Sequence, residues 1–431
     1  MSRFVCAVAV LFVVASAPFR SALAADPKKP RLDYDARPAP PPDAGDVALW
    51  VPRVVLFPVW AVHEYGLRKP IGAVIKAKPE GTEGEPDSLP SLAPSLLLDL
   101  GFRPWVGLYA KWTPGWAKNH SLLGYVAFGG VGAMTETLAD RITTAYGTIG
   151  LREEWTRRDD GLFHGLGPTT TRADARRYGF EHLDVGPSFD MPFGAGGAHL
   201  LVAGGVNALH FRDAGCCEGQ PQLVPPAGYT AIYERAVVGF DTRPAIPGRS
   251  FGDPPPRSGI RGAIEGEVDV DTEHQRRSWT RYGAVVSGYW DVHHQRVLSL
   301  TLNAHFADPL SGIAERLPFT EEASLGGDAP LQGFRAGRLT GRSAAAATLA
   351  YEWPIWLWLA GVIDVSVGNT FSEHLRDFDP ELLRFSTTIG AHVLASNDHY
   401  FQVLTGFGTQ PLANGFKAES FRLTFGMTRR F

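Results

Sequence analysis

From about Ser95 to Phe431, apolar and polar residues alternate with a period of two. Over Ile260–Asp271 one face reads Ile260, Gly262, Ile264, Gly266, Val268, Val270 and the other Arg261, Ala263, Glu265, Glu267, Asp269, Asp271. Over Arg296–Ala307, Leu298, Leu300, Leu302, Ala304 and Phe306 alternate with Ser299, Thr301, Asn303 and His305. Successive side chains of a strand point to opposite faces, so this pattern predicts strands with one apolar and one wet face. Fourteen are legible, near 96–110, 121–133, 143–157, 178–190, 197–213, 228–241, 259–271, 279–292, 295–307, 343–353, 357–370, 383–395, 400–409 and 418–431. Tilted runs of about 9–11 residues are long enough to cross a bilayer. An even count puts both ends of a barrel on one side. The last run, SFRLTFGMTRRF, sets Phe421, Leu423, Phe425, Met427 and Phe431 on one face and closes on an aromatic residue. Such an ending resembles the signal by which outer-membrane barrels are recognised for assembly, with Phe425, Met427 and Phe431 as its carriers.

Ahead of the alternating region the pattern is different. Arg3, the apolar run Val5–Ala17 and the small-x-small site Ala22-Leu23-Ala24 read as an export signal over 1–24, with Ala25 the first mature residue. Residues 25–45 form a proline-rich periplasmic linker. Residues 46–77 lack alternation, are apolar with Trp and Tyr, and are broken by Pro52, Pro58 and Pro70. They read as short amphipathic helices lying in the inner-leaflet interface or across the mouth of a barrel. A second linker occupies 78–94, and the barrel runs over 95–431.

Composition narrows the class. A net charge of −4, with 20% charged residues, excludes a basic nucleic-acid binder. Past the signal no apolar run is long enough for a spanning helix, so a membrane-crossing chain must be a closed barrel. Its 48 Gly, 25 Phe and 11 Trp suit lipid-facing strands with aromatic girdles. Cys216 and Cys217 sit side by side in a Gly/Pro-rich loop, without metal spacing.

Several motifs resemble the BamA/TamA (bacterial surface antigen) superfamily. Leu325-Gly326-Gly327 precedes Leu331-Gln332-Gly333-Phe334, as the superfamily's inward-folded loop carries a Gly-Gly turn before an Arg-Gly-Phe/Tyr tip. Asp364, in GVIDVSVGNTF, falls on the second strand after that loop, matching the family's Asp-then-Gly motif. The segment FDTRPAIPGRSFGDPPPRSGIRG, Phe240–Gly262, is similar to its Asp-x-Arg turn, and LFHGLGPTT, from Leu162, to a Gly-rich loop of shorter members. The resemblance implies an antiparallel transmembrane barrel of sixteen strands in the bacterial outer membrane. It also implies insertion or translocation of a substrate through a weakly zipped seam between first and last strands, with no cofactor. The expected partners are outer-membrane lipids, the barrel-assembly machinery and a secreted or membrane-protein client. Two departures stand out. No periplasmic POTRA repeat fits residues 25–94, and the tip arginine is Gln332. Asp364 is therefore expected to meet Gln332 or Arg335 inside the lumen, with Phe334 anchoring the tip.

Enzyme chemistry is not legible. Gly186-Pro187-Ser188-Phe189-Asp190 fails the last position of a nucleophile elbow, and His63-Glu64 lacks the second His of a zincin. His293-His294 reads as turn histidines, and Glu265, Glu267, Asp269 and Asp271 as a wet strand face. The alternative to an insertase is a passive pore or surface antigen that keeps the fold.

Overall fold

The computed structural model describes residues 50–61 and 91–429, apart from 118, 195–196, 217–220, 224–225, 244–257, 275–276, 294–295, 311–316, 357–358 and 394–398. The expected export signal, the 25–45 linker, residues 78–90 of the second linker and Phe431 lie outside the described residues; residues 91–94, expected to be linker, belong instead to the first barrel strand, which reaches back to Ser91. Among the described residues one α-helix, α1 (Trp50–Ala61), covers part of the segment expected to be helical. Arg53 of α1 donates through Nε to the carbonyl of Ile355 at 3.1 Å.

The alternating region forms β1 (Ser91–Asp99), β2 (Trp105–Trp112), β3 (His120–Phe128), β4 (Met134–Thr143), β5 (Thr148–Phe163), β6 (Arg176–Pro192), β7 (His199–Arg212), β8 (Tyr229–Asp241), β9 (Gly259–Asp271), β10 (Ser278–His293) and β11 (Arg296–Pro309). After a long loop come β14 (Ser343–Trp356), β15 (Leu359–Phe371), β16 (Arg384–Val393), β17 (His399–Thr409) and β18 (Ala418–Arg429). These sixteen pair antiparallel in chain order and close β18 onto β1; β12 (Ala323–Leu325) and β13 (Leu339–Gly341) form a separate ribbon inside the loop.

The barrel has two more strands than the alternation shows. The run expected at 96–110 is two strands, β1 and β2, joined by a tight turn in which Gly101 takes φ +97°. The strand β4 was hidden because Glu136 and Asp140 interrupt the face shared by Met134, Leu138 and Ile142. Together they raise fourteen strands to sixteen.

The faces divide as the alternation predicts. On β9, Ile264, Val268 and Val270 are exposed while Asp269 and Asp271 are buried. Around the barrel Val106, Leu138 and Ile264 are 61%, 58% and 62% exposed, joined by Leu300, Val365, Ile389 and Leu423. Apolar surface on this scale is a lipid-facing belt, since a soluble monomer seldom exposes such contiguous patches. The inner face is polar and encloses a cavity of about 1350 Å³. Its wall carries paired groups: Arg235 with Glu265 at 2.7 Å, and Tyr233 donating to Asp184 at 3.0 Å. One barrel end bears the turns β2–β3, β4–β5 and β6–β7; the other bears the loop between β11 and β14. We call them the turn end and the loop end.

Candidate functional site: the inward loop and the seam

The β11–β14 loop folds back on itself because its glycines allow it. Gly326 and Gly327 take φ +94° and +65°, and β12 and β13 then pair through Ala323–Gly341, Ser324–Thr340 and Leu325–Leu339. Leu325, Leu331, Phe334 and Leu339 are buried together against Ala344 and Ala346 of β14, giving the loop its own small core.

The tip docks on β16 and β17. Gly333 donates its N–H to Ser386 Oγ at 2.8 Å. A β-carbon on Gly333 would lie 2.2 Å from the Phe407 carbonyl oxygen, so only glycine allows this approach. Phe334 is fully buried, its ring over Gly408. Arg335 lies beside Gly101, where burial lowers its pKa. Gln332 contributes its backbone carbonyl, which accepts from Arg422 Nη1 at 3.5 Å.

The expected meeting of Asp364 with Gln332 or Arg335 is not formed. Asp364 is buried on the lumen face of β15, directly across from Thr388 of β16. Thr388 Oγ1 donates to its Oδ2, and Ser366 Oγ to its Oδ1 at 3.4 Å. The tip sits one lumen-facing position nearer the loop end, on Ser386, so the carboxylate is satisfied by hydroxyls of its own wall. Of the terminal residues, Phe425 packs edge-on against Phe401 with ring centroids 5.3 Å apart. The side chain of Met427 lies outside the described set, as does Phe431. The side chains of the His293-His294 turn are likewise not described.

The arginines that hold the loop come from elsewhere. Arg422 of β18 is buried and binds Asp99 of β1 through Nε and Nη2 at 3.0 and 2.8 Å. Its Nη1 also donates to the Gly327 carbonyl, and Nη2 reaches Asp328 at 3.3 Å. Arg338 of the loop and Arg384 of β16 share Glu419 of β18. Both arginines also donate to the Thr170 carbonyl, at 2.8 and 2.7 Å, which brings in the Gly-rich β5–β6 loop. Alternation could have exposed Arg422, a lone charge between outward Phe421 and Leu423. It hides Glu419, because a register shift opposite Gly408–Thr409 turns that residue inward.

On the opposite wall Phe319 packs among Phe163, Tyr178 and Phe211, with centroids 4.3, 5.3 and 5.4 Å away. Glu321 accepts from Tyr229 OH and pairs with Arg281 at 2.6 Å. The loop is thus fastened to both sides of the lumen.

The closing seam is short. β1 and β18 pair at Leu97–Gly426, Leu98–Phe425 and Asp99–Thr424, three positions against fourteen between β10 and β11. Gly426 takes φ +140°, and a β-carbon there would lie 1.9 Å from the Leu96 carbonyl oxygen. Toward the turn end β1 pairs, among the described residues, with β2 alone.

No family profile matches the sequence, and no curated protein does. Solved structures do match. BamA from Haemophilus ducreyi lacking POTRA domains 1–3 superposes with a TM-score of 0.55 at 12% identity, over 78% of this chain and 70% of that one. CdiB from Escherichia coli gives 0.50 at 12% identity, over 78% of this chain and 62% of that one. Identity this low speaks to fold alone: the chain folds as the sixteen-stranded outer-membrane type of barrel seen in BamA and CdiB.

Proposed function

We propose that the protein is an outer-membrane barrel of the BamA/TamA superfamily that inserts or translocates a substrate by parting the β1–β18 seam. The observation that carries this reading is the seam itself. Every second ladder position exchanges backbone hydrogen bonds, so three pairs resist separation far less than fourteen. The wall beside it is also low: β1, β2 and β3 have 9, 8 and 9 residues, against 16 and 17 in β5 and β6. A short apolar band thins the bilayer around it, which lowers the cost of passing polar segments there. The loop end faces outward and α1 lies at the periplasmic mouth. Lipids, the assembly machinery and a secreted or membrane-protein client are the partners of this reading.

The polar cavity of about 1350 Å³ favours a second reading, a passive pore that keeps the fold. Reconstitution in liposomes separates the two. Faster folding of a client barrel supports the insertase, and ion conductance without it supports the pore.

A further inference from the structure

We propose that Arg422 is the latch of the seam, and that it decides which strand the inward loop follows: the loop stays with β18, and β1 is the strand that leaves. The proposal deepens the seam reading above and rests on it. The Arg422 guanidinium is divided between two neighbours. Nε and Nη2 hold Asp99 of β1, while Nη1 holds the Gly327 and Gln332 carbonyls of the loop. One side chain therefore closes the seam and seats the loop together.

The order of opening follows from where the contacts lie. Gly426 bends β18 away, and beyond it Ser91–Leu96 of β1 have no ladder partner among the described residues of β18. Separation starts from that turn end. The last contacts to break are at the loop end, where Leu100 donates its N–H to the Leu423 carbonyl at 3.0 Å and Asp99 meets Arg422.

The loop has other holds on the β18 side. Arg338 pairs with Glu419 of β18, Gly333 with Ser386 of β16, and Phe334 sits over Gly408 of β17. Of the loop's hydrogen bonds and ion pairs given above, none runs to β1; on that side the loop has only Arg335 packed against Gly101, within the field of Asp99. When Asp99 departs, Arg422 keeps Asp328 and two carbonyls, so the buried guanidinium is not stranded without acceptors. Asp99 is the partner that can be lost.

The test uses the full chain in lipid nanodiscs, without a client, in a background carrying Cys216→Ser and Cys217→Ser. Spin labels at Leu98→Cys with Phe425→Cys report the seam, and labels at Ala329→Cys with Leu423→Cys report the loop against β18. Heat-modifiable migration on gels verifies that each variant is folded. Asp99→Asn is expected to raise the population with a widened seam by on the order of tenfold, as loss of a charge-assisted pair implies. The loop-to-β18 distance should not change. Arg422→Lys, which keeps the charge but loses the fork, should widen the seam and broaden the loop distance together. A seam distribution unaltered in both variants overturns the latch, and so does a loop label that moves away from β18 in Asp99→Asn. Because no client is present, that outcome is distinguishable from failure of the insertase reading.

Discussion

The ring of Phe334 lies over the α-carbon of Gly408, so close that a methyl on Gly408 would come within 2.5 Å of Phe334 Cζ. The fully buried ring is the apolar anchor of the loop tip. Phe334→Ala should therefore lower barrel stability by about 3–5 kcal/mol, as for other buried aromatics. Gly408→Ala should cost about 1–3 kcal/mol through overpacking. Adding Phe334→Leu to Gly408→Ala should recover part of the second loss. Urea unfolding midpoints of the three variants check this; additive losses in the double variant would contradict the contact.

Glu419 holds two buried cations, Arg338 and Arg384. Glu419→Gln leaves both guanidiniums without a counter-charge and should destabilise by about 3–5 kcal/mol. The same measurement on Glu381→Gln, an exposed loop acid, should change the midpoint little. Equal effects of the two substitutions would remove Glu419 from its central place.

Asp364 and Thr388 form a pair, while Asp364 and Gln332 do not. A double-mutant cycle on Asp364→Asn with Thr388→Val should give a coupling of about 1.5–3 kcal/mol, as for hydrogen bonds to a charged group. The cycle with Gln332→Ala should give a value near zero. The reverse pattern would restore the tip-to-wall contact that the sequence led us to expect.

Burial pushes the Glu322 carboxyl up to about 7, against the pull of Arg342. The folded chain thus holds a proton there that the unfolded chain releases. This stabilisation is complete below the ordinary carboxylate range and is lost as pH rises through 7. His164 works oppositely: burial holds its imidazole down at about 4, so its contribution is full above about 6.5 and falls on acidification toward 4. Thermal midpoints between pH 6.5 and 8 should fall in the unaltered chain, and the fall should be smaller in Glu322→Gln. An identical slope in both would contradict the assignment.

How far the sequence could be read depends on the residue. Where a strand has a clean lipid face, as in Ile264–Val268–Val270, period-two alternation located it. Where acids break that face, as Glu136 and Asp140 do in β4, alternation failed. The tight turn at Gly101 fused two strands into one because its glycine resembles any other in a glycine-rich strand. The loop tip was legible as a motif, since Gly333 and Phe334 must satisfy a close approach and an apolar seat. Its partner was not. Which of several inward polar residues meets the tip depends on register between strands far apart in sequence, and a one-position offset gave Gly333 to Ser386 and left Asp364 to Thr388. Glu419 was invisible because the register shift that turns it inward leaves no trace in the hydrophobic pattern.

If the protein works by parting the seam between β1 and β18, locking that seam must stop it. Leu98 and Phe425 are directly opposed across the seam, and opposed residues on antiparallel strands lie about 4.5–5.5 Å apart at Cα, within disulfide range. The most direct measurement is client-barrel folding in liposomes carrying Leu98→Cys with Phe425→Cys, oxidised and then reduced. The reduced form should accelerate folding, the cross-linked form should not, and adding reductant should restore acceleration. Acceleration that persists with the seam cross-linked would contradict seam opening.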